Sequence, residues 1–244
     1  MNSTQHNPPP HNTGRRTLLK AAAVGGAVVT GGLAFGAIPA AATTAPTRPR
    51  PATPADALNE LSAGNRRWRS FRQQHPNESR TVREALVSGQ HPFAVVLGCV
   101  DSRVPPELVF DQGLGDLLTV RSAGEVLDEA VLGSVAYGVL ELEIPLILVL
   151  GHQSCGAVAA AVHADETGEQ LPRHIQYLAD QIKPAIDHSQ HGDARVDSTI
   201  NRNVGLITRK LSAEPDLAAK VASGDLAIVG ARYELTNQLV HAIA

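Results

Sequence analysis

Cysteine and net charge are both small in this chain, and each scarcity excludes something. Two cysteines in 244 residues cannot staple a disulfide scaffold; they leave one bridge, or two ligands of a metal site. A net charge of −3 gives no global attraction to phosphate, which argues against nucleic acid as a partner. Acids are missing from the front of the chain: Asp56 is the first, and eight of the 16 prolines fall before it. That stretch lacks the material of a core. The whole, at 43% hydrophobic and 18% charged residues, is too apolar for general disorder and long enough for one sizeable core.

The front reads as an export signal. Arg15, Arg16 and Lys20 precede an uncharged Ala/Gly/Val run from Ala21 to Ile38, and Pro39 leads into the small residues Ala40, Ala41 and Ala42. An arginine pair before a weakly apolar run resembles a twin-arginine signal. The expectation is a signal peptide over 1–42, a partnership with the twin-arginine export machinery, and an exported protein. A membrane anchor is the alternative; the run is long enough to span a bilayer, but its Gly and Ala content makes it a poor membrane helix. Residues 43–54, rich in Pro, Thr and Arg, read as a tether without fixed structure.

From 55 to 244 helical and strand patterns alternate. Leu58, Leu61, Trp68 and Phe71 give helical spacing over 55–71, and Arg66, Arg67, Arg69 and Arg72 on it read as a solvated face. A short helix over 81–88 is closed by Gly89. Four apolar runs read as buried strands: Phe93 to Gly98, Leu117 to Arg121, Leu146 to Leu150 and Ala227 to Ala231. Helical stretches over 125–142, 155–163 and 201–211 separate them. Such alternation predicts an α/β domain, a mainly parallel β-sheet flanked by helices.

Open sheets of this kind bind ligands beyond the carboxyl ends of their strands. The first strand runs into Cys99-Val100-Asp101-Ser102-Arg103 and the third into Gly151-His152-Gln153-Ser154-Cys155-Gly156. Both cysteines, one histidine, one carboxylate and one guanidinium thus fall at strand ends. Two thiolates and an imidazole fill three corners of a zinc tetrahedron and leave the fourth for water. A Cys99–Cys155 disulfide is the competing reading, although it leaves His152, Asp101 and Arg103 without a role. A tyrosine-phosphatase loop needs a wider Cys-to-Arg spacing than Cys99 and Arg103 offer. His188 and His191, three apart in a polar stretch, read as a solvated loop rather than a second metal site.

The segments CVDSRVPPELVF and GHQSCGAV resemble the two signature motifs of β-class carbonic anhydrases. Gln90, GLGDLLTVRSAGE, LGSVAYGVLEL, Asn203-Val204 and GARYEL resemble the same family in order, so the likeness covers 55–244. The resemblance implies the family's fold with an N-terminal helical arm, one Zn2+ per subunit held by Cys99, His152 and Cys155, and reversible hydration of CO2 to bicarbonate. It implies that zinc-bound hydroxide is the nucleophile, oriented by the Asp101–Arg103 pair, with Gln90 and Gly156 contacting substrate. Asp101 has a second role open to it, as a fourth zinc ligand that closes the site. Val96 stands where bicarbonate-regulated members carry tryptophan, which favours the open form. Two thiolates cancel much of the metal's charge, so activity is expected to rise toward alkaline pH. The resemblance further implies a homodimer or homotetramer in which the N-terminal helix wraps a neighbour. Ser122 departs from the family's usual asparagine, and Gln153 lies where the family varies. Two rivals stay open: hydrolysis of carbonyl sulfide or carbon disulfide by the same residues, and a non-catalytic zinc or redox protein.

Overall fold

A computed structural model describes residues 49–243. The expected signal peptide and the first half of the tether lie outside the described residues. No described helix is long and apolar enough to cross a membrane. The tether's described end is tied to the body, because the Arg50 guanidinium donates to the Pro92 carbonyl.

Five strands form one sheet: β1 (Ala94–Gly98), β2 (Leu117–Arg121), β3 (Leu146–His152), β4 (Ala227–Tyr233) and β5 (Val240–Ala242). Their order is β2-β1-β3-β4-β5, parallel except for the antiparallel β4–β5 pair. Every residue of β1 and β3 is buried, as continuous apolar runs at the centre of a parallel sheet require. The four strands read from sequence are present, with β3 and β4 each continuing two residues further.

The helices are α1 (Pro54–Arg69), α2 (Arg80–Ala85), α3 (Pro106–Val109), α4 (Glu129–Leu140), α5 (Gly156–Thr167), α6 (Arg173–Ile182), α7 (Gly192–Ser212) and α8 (Pro215–Ser223). Strand alternation divides the core between two faces of the sheet. Ala94, Val96, Leu146, Leu148 and Leu150 face Ala57 and Leu61 of α1 and Val109 of α3. Val95, Leu97, Ile147 and Val149 face Val135 and Val139 of α4 and Val204, Ile207 and Leu211 of α7. Each such fully buried side chain stabilises the fold by about 1.5–3 kcal/mol relative to exposure, before entropy is counted.

The N-terminal helix is built to dock. Thr53 caps it, its Oγ1 accepting from the Asp56 N–H at 3.1 Å, and Pro54 opens its first turn. It lies on its own chain's sheet: Asn65 Nδ2 donates to the carbonyls of Val109 at 3.1 Å and Gln238 at 2.9 Å, and Trp68 Nε1 donates to Tyr233 Oη at 3.0 Å. The solvated basic face needs a correction here. Arg67 is turned inward to pair with Asp111 and with Glu60, while Arg66, Arg69 and Arg72 remain exposed. Burying the apolar side of α1 brings Arg67 against Asp111, and the ion pair offsets the cost of its desolvation. His191 precedes α7 and His188 lies in the loop before it, beside Asp165, so the two do not share a helix face.

Gly64 sets how closely α1 approaches α3. A Cβ there would stand 1.7 Å from the carbonyl oxygen of Phe110, a backbone atom that cannot swing aside. Gly64→Ala is expected to destabilise the domain by about 1–3 kcal/mol through overpacking. In a thermal melt this lowers Tm by roughly 2–4 °C per kcal/mol; an unchanged Tm contradicts the tight packing.

Candidate metal centre

The chain leaves β1 for β2 on one side and reaches β3 on the other, so the strand order reverses between β1 and β3. A crevice opens at such a switch point beyond the strands' carboxyl ends. Gly98 and Leu150 are paired across β1 and β3. Cys99 follows Gly98 directly, His152 closes β3, and Ser154 takes the left-handed conformation, φ 55°, that turns the chain back into Cys155 and α5. One ligand-bearing atom from each of Cys99, His152 and Cys155 lies within 4.8 Å of the other two, and all three residues are buried.

The donor set fits a metal on three observations. The two sulfurs are 3.9 Å apart and both cysteines are free. A disulfide needs about 2.05 Å, whereas two thiolates on a tetrahedral ion at about 2.3 Å stand roughly 3.8 Å apart. His152 is fully buried, its Nδ1 lies 2.9 Å from the Gln153 carbonyl, and its Nε2 has no partner. A carbonyl only accepts, so Nδ1 carries the hydrogen and Nε2 presents a bare lone pair to the cluster. Cys99 is held well below the ordinary thiol range by the Cys155 thiol and by the Gly124 N–H, while that same sharing with Cys99 and burial push Cys155 up. The pair shares a proton that a bound cation would expel.

Beside the cluster stands a locked carboxylate. Asp101 Oδ1 accepts from Arg103 N–H and Nε, each at 2.9 Å, and Oδ2 accepts from the second guanidinium nitrogen at 2.7 Å. These bonds hold Asp101 well below the usual carboxylate range, so it is ionised at every pH near neutrality. Its Oδ2 is 3.9 Å from His152 Nε2.

The structure brings Cys99, Asp101, Arg103, His152 and Cys155 together, with Gly156 opening α5 next to them. It does not bring Gln90. That residue is exposed and precedes β1, whereas Cys99 follows it, and five strand residues separate their ends by roughly 17 Å. Sequence reasoning also missed Arg121, whose guanidinium donates to the carbonyls of Cys99 at 2.8 Å and Asp101 at 2.7 Å and fixes the loop between them. A basic residue ending the strand beside β1 was the available signal. Gln153 holds the far side, its Oε1 accepting from Thr236 N–H at 3.1 Å.

A carbonic anhydrase family model matches residues 94–240. Carbonic anhydrase 2 of Mycobacterium tuberculosis is 44% identical over 186 residues, 75% of this chain and 90% of that protein. The chain belongs to the β-class carbonic anhydrase family. The carbonic anhydrase of Mycolicibacterium smegmatis is 41% identical over 189 residues, with the same coverage. The solved β-carbonic anhydrase CcaA superposes with a TM-score of 0.62 at 26% identity, covering 76% of this chain and 94% of that one. A Coccomyxa β-carbonic anhydrase in complex with acetazolamide gives 0.61 at 26% identity, over 76% and 86%. This carbonic anhydrase chain is accordingly an enzyme of CO2 hydration, with a cysteine–histidine cluster able to bind a metal where its family is zinc-dependent.

Metal uptake by this cluster should release protons. Titration of the metal-free enzyme with Zn2+ at pH 7, by calorimetry in two buffers of different ionisation enthalpy, is expected to show about one proton or more leaving per site. Affinity should fall as pH falls, because protons compete for the same sulfurs. Proton-neutral binding contradicts the shared-proton state.

Proposed function

We propose that the enzyme hydrates CO2 at one zinc held by Cys99, His152 and Cys155, with Asp101 and Arg103 as its orienting pair. The observation that carries this reading is the bare Nε2 lone pair of a fully buried His152 beside two free thiols. Zinc at these ligands would lower the pKa of a water in its open position and so supply a nucleophile near neutral pH. Asp101, held ionised beside the cluster, would accept a hydrogen bond from a group bound at that position and so orient its lone pair. Arg103 keeps the carboxylate ionised and stops it rotating, and Arg121 holds the backbone beneath it. The Arg103 clamp supports an open site, because swinging Asp101 onto the metal would break a bidentate ion pair. Val96, buried in β1, provides no bulky lever against that clamp. Gly156 leaves open space where a side chain would stand, and its N–H at the start of α5 suits a developing anion.

We further read the enzyme as a homodimer or larger homo-oligomer, exported through the twin-arginine signal at Arg15 and Arg16. Strand β2 is a sheet edge with one neighbour, and α4 above the same end of the sheet exposes Tyr137 and Leu140. Gln90 reaches a metal centre only if it is the neighbour's, which such an edge-to-edge assembly permits.

Asp101→Asn keeps shape and removes charge. Stopped-flow hydration at pH 8.5 is expected to fall about 10–100-fold with one zinc per subunit retained; full activity contradicts the orienting role. Paired Tyr137→Glu and Leu140→Glu are expected to shift the molecular mass by light scattering toward the monomer. An unchanged mass places the subunit contact elsewhere.

A further inference from the structure

Helix α7 presents Ile200, Val204, Ile207 and Leu211 to the core, all buried. Among them stands Asn203, 1% exposed, where a leucine would continue the stripe. A buried amide in such a row needs partners, and they identify its task. Asn203 Nδ2 donates to the Gly124 carbonyl at 2.8 Å, across 79 positions of sequence. One side chain of α7 therefore holds a distant turn at Gly124.

That turn is in an unusual state. Gly124 and Glu125 both have positive φ, 65° and 55°, in the short turn between β2 and α4. Glutamate adopts this conformation only where its surroundings enforce it. The turn is closed from its other side by Ser122, whose Oγ donates to the Val126 carbonyl at 2.8 Å and whose N–H donates to the Gly98 carbonyl at 3.1 Å. Ser122 thereby has a structural role of its own. The outcome of this bracing is a single aimed group: the Gly124 N–H points at Cys99 Sγ, 3.4 Å away.

We propose that Asn203 is a positioning residue of the metal centre, holding Gly124 so that its N–H donates to the Cys99 sulfur and fixes that ligand's charge and direction. This rests on Cys99 being a ligand, as proposed above. An N–H donated to a thiolate draws charge off the sulfur and restricts rotation about its Cα–Cβ bond, so loss of the brace loosens both.

The test is NMR of the 15N-labelled enzyme loaded with 113Cd, a spin-bearing substitute for zinc. The 113Cd shift reports the ligand set, and a scalar coupling between 113Cd and the Gly124 amide proton reports the hydrogen bond through sulfur. The native enzyme is expected to show a sulfur-ligated shift and that coupling. In Asn203→Leu and in the near-isosteric Asn203→Asp the coupling should vanish, and zinc affinity by chelator competition should fall about 10–100-fold. A merely structural Asn203 would lower the melting temperature and leave coupling and affinity intact. A sulfur-ligated native spectrum without the Gly124 coupling overturns the proposal, as does either variant folded with coupling and affinity unchanged. A 113Cd shift outside the sulfur-ligated range overturns the assignment of the metal centre itself.

Discussion

The parallel pairing of β1 with β3 is the constraint on which the rest depends. Its register places Gly98 beside Leu150, so Cys99 leaves β1 alongside the last two residues of β3 and opens with His152 into the same crevice. The sheet is rigid there because both strands are buried on both faces, and a rigid support suits ligands that must meet one ion. A one-residue slip in either strand would turn one ligand to the opposite face of the sheet.

Charge balance explains the surroundings of the crevice. Two sulfurs sharing a proton and the ionised Asp101 would repel one another in a dry pocket. Arg103 and Arg121 answer from two sides, the first on the carboxylate and the second on the backbone carbonyls of Cys99 and Asp101. Neither guanidinium takes a place in the cysteine–histidine cluster. These two cations make the concentration of negative groups tolerable, and a metal bound at the cluster would add its own charge to theirs.

The central strands and the convergence of Cys99, His152 and Cys155 were legible in the sequence because their signals are local. A strand buried on both faces is an unbroken apolar run, and chemistry-bearing residues at its end stand out against it. Elements with weaker contrast were not legible. Strand β5 is three residues on an antiparallel edge, α6 is ten residues of which only Ala179 and Ile182 are buried, and α7 begins with the polar turn Gly192–Arg195. The first turn of α7, residues 192–194, is exposed and so carries no apolar pattern. In the site, Gln90 could be recognised but not placed, since strand direction puts it at the wrong end of β1 within one chain. Gly124 and Asn203 act through a backbone N–H and a contact across 79 positions, neither of which leaves a local pattern.

The most direct test of the account is X-ray absorption at the zinc edge of the purified enzyme at neutral and alkaline pH. Two sulfur scatterers at about 2.3 Å, one imidazole nitrogen near 2.0 Å and one further light atom that is not a carboxylate are the predicted shell. A shell without two sulfurs, or an enzyme free of zinc with Cys99 and Cys155 joined, would contradict it.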